Sequence, residues 1–114
     1  MRVYKILTEA ELLALRRDAE FAGSADDLRD GFVHLSAGHQ VTGTAERHFA
    51  GQQGLWLAAL EVERLGDDLR WEVSRGGARF PHLYRPIRLA DVAWVRPLQN
   101  EPDGGIRFSQ EVGP

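Results

Sequence analysis

The chain changes its hydrophobic period several times, and each change marks an element. "VYKIL" (Val3 to Leu7) is β-branched and aromatic around one lysine, the pattern of a strand. Thr8 follows with Glu11 three residues on, a capping box in which each side chain serves a free backbone N–H at a helix start. Leu12, Leu15 and Ala19 then recur at helical spacing and predict an amphipathic helix over residues 9–20. Gly23 to Gly31 is polar and reads as a loop. "FVHLS" returns to period two, which puts Phe32, His34 and Ser36 on one strand face and Val33 and Leu35 on the other.

Beyond Ser36 the spacing is helical again. Val41, Ala45 and Phe49 form an apolar stripe, while Gln40, Thr44 and His48 share a polar one with Arg47 beside it. "LWLAALEV" is apolar on both faces, as a central strand is, and "RLGDD" supplies a turn. "LRWEVS" alternates, with Leu69, Trp71 and Val73 opposite Arg70, Glu72 and Ser74. "DVAWVRP" (Asp91 to Pro97) reads as a further strand, and "PDGG" as a turn into a short "IRF" strand. About six strands with two main helices in the N-terminal half predict an α+β domain, since a doubly wound sheet needs helices in the second half too.

The length of 114 residues suits one domain, 1–114, with a flexible tail expected at 109–114. Cysteine is absent, which removes disulfides and thiolate metal ligands and, with no apolar or Arg-rich leader, makes the cytoplasm the expected location. The longest apolar run, "LWLAAL", is far short of the roughly 20 residues of a membrane span, so no membrane partner is expected. A net charge of -3 argues against general nucleic-acid binding. The charge is uneven, however. From Arg70 to Arg88 five arginines face one acid, Glu72, around the Gly76–Gly77 pair, far more chemistry than a turn requires. No protein partner can be read from the pattern.

No phosphate-loop, dinucleotide, nucleophile-elbow or zincin motif occurs. His34, His39, His48 and His82 include no pair at i, i+3 or i, i+4, so no metal site is expected. Ser36 stands two residues from His34, and on one strand face that spacing alone does not make an activated nucleophile. Lys5, His34, Ser36, Gln40, Thr44, Arg47, Glu72, His82 and Tyr84 remain. Each has a plain structural account, but an imidazole on a strand of Phe, Val and Leu needs polar partners, and together these residues outline a cleft. Strand alternation and the polar stripe of the second helix together put His34, Ser36, Gln40 and Glu72 on one concave surface, with Val33 and Leu35 packed on the opposite side.

"YKIL", "DGFVHLSAGHQVTGTAERHFAG", "LRWEVSRGGARFPHLYRPI" and the closing "DGG" resemble, in that order, the bacterial domain-of-unknown-function family 952. That resemblance implies a small split-sheet fold of the ADP-ribosyltransferase-like kind, with NAD in a cleft between two sheets. It carries over Lys5 to the first-strand position, His34 or Ser36 to the second and Glu72 to the third. Transferases of this fold carry histidine or arginine at the first position, so Lys5 is a departure. The implied function is to bind, and as a transferase to cleave, NAD or a related phosphorylated ribose compound, NAD being a substrate rather than a tightly held cofactor. Glu72, His34 and Ser36 are then the catalytic candidates. Lys5, Gln40, Thr44, Arg47, Arg75, Arg79, His82 and Tyr84 are the binding candidates, with Arg75 and Arg79 flanking the glycines as forked phosphate donors. Two other functions fit the same residues: a non-catalytic nucleotide-sensing or partner-docking module, favoured by Lys5, and a small enzyme using His34 and His82 as acid and base.

Purified protein is therefore expected to carry no stoichiometric zinc, iron or manganese. One equivalent found by elemental analysis, and lost on His34→Ala, contradicts this.

Overall fold

A computed structural model describes residues 1–101 and 106–107, apart from the side chains of Arg75 and Arg107. The first strand, β1 (Arg2–Leu7), leads through the Thr8 capping box into α1 (Glu9–Asp18). The box forms as the spacing predicts: Glu11 N donates to Thr8 Oγ1 and Thr8 N donates to Glu11 Oε1. A short β2 (Glu20–Phe21) follows, then α2 (Ala25–Asp30), β3 (Val33–His34) and β4 (Ser36–Ala37). After one 3-10 turn come α3 (Val41–His48), β5 (Trp56–Glu61) and the single-turn α4 (Val62–Leu65). The second half contains β6 (Leu69–Val73), β7 (Arg79–Leu83), β8 (Ile87–Arg88), β9 (Val92–Pro97), β10 (Gln99–Asn100) and β11 (Ile106–Arg107).

These elements make an α+β domain with two principal antiparallel sheets. One has the order β4-β1-β5-β9 and the other β3-β7-β6, with β2-β8 and β10-β11 as two-stranded ribbons. The doubly apolar "LWLAAL" run supplies β5, which pairs along its length with β1 and β9. The main core lies between the sheets: Val3 and Leu7 of β1, Leu60 of β5, Leu12 and Leu15 of α1, and Val33 and Leu83 of the smaller sheet are all buried in it. A second cluster, Tyr4, Ile6, Leu57 and Ala59 against Val41 and Ala45, covers the other face of the larger sheet with α3.

Three expectations are corrected. Gly23 to Gly31 is not a loop throughout, because Ser24 and Asp27 form a second capping box and start α2. Its six residues carry no apolar stripe, so periodicity could not find it. The arginine-rich stretch around the Gly76–Gly77 pair, Arg70 to Tyr84, is not one connection either. It is a hairpin whose turn occupies residues 74–78, and Arg79–Leu83 returns as the central strand of the smaller sheet. Pro81 argues against a central strand, since proline cannot donate to a ladder.

The third correction shows why Pro81 is tolerated. "FVHLS" is split between two sheets: His34 pairs with His82 of β7, whereas Ser36 pairs with Tyr4 of β1. Continuing the register puts Leu35 opposite Pro81. Leu35 N donates to Pro81 O at 3.0 Å, but Pro81 has no N–H for the return bond that an antiparallel hydrogen-bonded pair exchanges. The ladder ends there and the chain crosses to the other sheet. The turn expected at "PDGG" and the tail expected at 109–114 lie outside the described residues. No helix among the described residues is long and apolar enough to cross a membrane.

Leu83 is fully buried at the centre of the main core. Leu83→Ala is expected to cost about 2–5 kcal/mol of stability, measured by denaturant unfolding.

Candidate functional site

The crossing at Leu35 creates a cleft. β4 pairs with only Val3 and Tyr4, so the edge of β1 beyond them is open on that side. A cavity of about 430 Å³ lies there, walled by Tyr4, Lys5 and Ile6 of β1, by His34, Leu35 and Ser36 at the crossing, by α2, by the polar stripe of α3 and by Phe80 and His82 of β7.

Asp27 organises the α2 wall. It is 1% exposed, and its carboxylate is fully engaged. Oδ2 accepts from Lys5 Nζ at 2.9 Å and from Ser24 N at 2.9 Å, while Oδ1 lies 3.0 Å from His34 N and 2.6 Å from His34 Nδ1. Burial opposes the charge, but the His34 ring, the Lys5 ammonium and the His34 N–H together hold the carboxyl well below the usual carboxylate range. Gly23 permits this arrangement. Its φ is +128°, and a Cβ there would stand 2.5 Å from Asp27 Cβ.

Lys5 shares the β1 face of Val3 and Leu7, so its stem runs through the core and its ammonium ends on Asp27 and on His34 O at 3.0 Å. It borders the cavity with its charge already neutralised. His34 is held at both nitrogens, Nδ1 by Asp27 and Nε2 by Asp30 Oδ2 at 3.0 Å. Ser36 Oγ is 2.9 Å from Thr44 Oγ1, forming a hydroxyl pair across the crossing. Arg47, on the next turn of α3, makes no hydrogen bond or ion pair among the described residues. Arg29, by contrast, is spent on Asp26 and Asp30.

The face that the smaller sheet turns away from the core carries a cluster of rings. Phe32 stacks on His82 with centroids 4.0 Å apart and also contacts His34 and Tyr84. His82 Nδ1 is 2.9 Å from Glu72 Oε1, and the Tyr84 hydroxyl donates to the same oxygen at 2.6 Å. The Tyr84 hydroxyl and then the His82 ring lower the Glu72 pKa, and the Glu72 carboxylate in turn raises that of Tyr84. His82 is buried, and its Nε2 has no hydrogen-bond partner among the described residues.

Of the residues singled out from the sequence, Lys5, His34, Ser36, Thr44, Arg47 and His82 border the cavity. Glu72 does not. It shares a sheet face with His34 but lies on the far strand, behind His82. Tyr84 follows it there, with Arg70 over its ring at 4.9 Å. Gln40 is also off the cavity: it is buried, accepts from Ala37 N and donates to Arg79 O at 2.7 Å, stitching the start of α3 to β7. Arg79 is exposed and donates to Trp71 O. The side chain of Arg75 lies outside the described residues. The single concave surface expected of His34, Ser36, Gln40 and Glu72 is thus corrected to His34 and Ser36, because Glu72 stands on the far strand of the smaller sheet and Gln40 is turned onto Ala37 and Arg79. Asp27, at the centre of the α2 wall, was missed. Its one sequence signal is the S-x-x-D spacing from Ser24. No cluster of three or more histidine or acidic side chains suited to a metal occurs among the described residues.

The family described as "Protein of unknown function (DUF952)" matches residues 6–95. The chain is similar to protein CC0527 from Caulobacter crescentus. It is 49% identical to the chain in that protein's X-ray structure, over 98% of each chain, with a TM-score of 0.93. Against the solution NMR structure of CC0527 the identity is 53% over 91% of this chain and 90% of that one, with a TM-score of 0.82. No curated protein matches.

Asp27→Asn removes the charge opposite Lys5 and is expected to cost about 3–5 kcal/mol, the range for breaking a buried pair. The Asp27 carboxyl titrates below its unfolded value of about 3.9, so the wild-type advantage is full above that pH and is lost as the pH falls through the lower folded value. Denaturation of both proteins between pH 7 and pH 2 checks this. A difference that stays constant to pH 2 contradicts it.

Proposed function

The chain belongs to the DUF952 family, and from its own cleft we propose that it binds a small phosphorylated ribose compound of mononucleotide size. The observation that carries this reading is the Arg47 guanidinium, without a hydrogen-bond or ion-pair partner among the described residues, on the wall of the cavity that also holds the Ser36–Thr44 hydroxyl pair. An anion is the natural complement of a free guanidinium, and neighbouring hydroxyls and histidines suit a ribose. Phe49 and Phe80 add apolar wall for a base. The volume of about 430 Å³ is near the lower end of ligand sites, which span roughly 300–1,000 Å³, and fits a mononucleotide better than a whole dinucleotide.

The phosphate role sought first in Arg75 and Arg79 passes to Arg47, since Arg79 is turned onto Trp71 O. Placement of the cleft between two separate sheets supports a relation to ADP-ribosyltransferase-like domains and keeps NAD among the ligands to be tried. Glu72 as the carboxylate that stabilises a ribosyl cation is not favoured, because its Oε1 serves His82 and Tyr84 away from the cavity. Acid-base chemistry shared by His34 and His82 is not favoured either, since both His34 nitrogens are occupied. Binding without turnover makes the protein a sensing module. Nicotinamide release makes it a transferase.

Calorimetry with AMP, ADP-ribose and NAD tests this, with nicotinamide release assayed in parallel. Wild type is expected to bind AMP and ADP-ribose, and Arg47→Ala to bind them about tenfold more weakly or worse, since a charge-assisted bond is worth roughly 1.5–3 kcal/mol and a decade of affinity about 1.4 kcal/mol. No binding at millimolar concentration overturns the reading.

A further inference from the structure

His82 is a buried cleft residue whose hydrogen bonding is incomplete among the described residues. Its Nδ1 lies 2.9 Å from Glu72 Oε1. An ionised carboxylate only accepts, so the hydrogen is on Nδ1 and the neutral ring keeps its lone pair on Nε2. That Nε2 is buried and has no partner among the described residues, although the ring borders the cavity. The ring is also held in place. Phe32 stacks on it, His34 meets it edge-on at 5.7 Å, and Tyr84 steadies Glu72 through the same oxygen. A buried acceptor without a donor is costly to keep, and three neighbours maintain this one in a single orientation.

Resting on the phosphorylated-ribose reading, we propose that His82 recognises a ribose hydroxyl: Nε2 accepts a hydrogen bond from the 2′- or 3′-hydroxyl of the bound ligand. Glu72 is the positioning residue that fixes the tautomer, and Tyr84 holds Glu72. Arg47 supplies charge for the phosphate, and His82 supplies discrimination for the sugar. A site built to bond a hydroxyl rejects the analogue that lacks it, because its own polar atom is then left unpaired.

The test compares AMP with its 2′-deoxy and 3′-deoxy forms by calorimetry on the full chain. Wild type is expected to prefer AMP to at least one of them by about tenfold, a typical effect of one unmatched polar group. His82→Asn is expected to lose that preference, since its amide keeps a donor for Glu72 but has nothing at the Nε2 position. Nitrogen NMR of the wild-type histidine rings needs no substitution. His82 should be protonated at Nδ1 alone, with Nε2 shifting when AMP is added. Glu72→Ala should disturb this tautomer, and Glu72→Gln, whose amide oxygen still accepts, should restore it. An Nε2-protonated ring in the free protein overturns the proposal. So does equal affinity of wild type for AMP and both deoxy forms, which leaves the phosphate site standing. If none of the three binds, the phosphorylated-ribose reading fails and this proposal with it.

Discussion

The buried carboxylate of Asp27 is the interaction on which the candidate site depends. It caps its own helix, takes the ammonium of β1 and accepts two N–H groups of His34, so α2, β1 and β3 meet at one residue. An unpaired carboxylate at that depth would be prohibitively costly, which is why its donors are supplied from three elements. Lys5 is explained by the same balance. A cation on an apolar strand face is tolerable because Asp27 stands opposite it, and the lysine that departs from the transferase pattern is thereby a structural partner of the α2 wall.

The second constraint is the missing N–H of Pro81. It ends the β3–β7 ladder one residue after His34 and sends the chain to the larger sheet, where Ser36 pairs with β1. One residue of crossing thus places an imidazole on one sheet and a hydroxyl on the other, at the mouth of the same cavity. The short β4 leaves the β1 edge open beside them. Asp27 and Pro81 together position the residues that line the cleft.

Much of this was legible in the sequence, and the failures have physical reasons. The T-x-x-E box, the helical spacing of α1 and α3 and the doubly apolar β5 were readable because local periodicity reports burial directly. The polar stripe of α3 was readable too, and Thr44 and Arg47 do border the cavity. Asp27 was hidden because a short polar helix carries no apolar period, and its one signal, an aspartate three residues after Ser24, also suits a loop. β7 was hidden by Pro81, which local rules assign to an edge or a turn. Strand alternation assigns Glu72 to the cleft face and the helical stripe assigns Gln40 to it, whereas the strand order that puts Glu72 behind His82 and the turn of Gln40 onto β7 are tertiary properties.

The central claim is that the cleft at the sheet crossing is where this protein meets its ligand. Backbone amide NMR of the wild-type chain during titration with AMP tests it most directly. The account predicts saturable shifts concentrated at Lys5, His34, Ser36, Thr44, Arg47 and His82, with the exposed face of α1 around Leu13 unmoved. Shifts clustered away from the crossing, or none at millimolar AMP, contradict it.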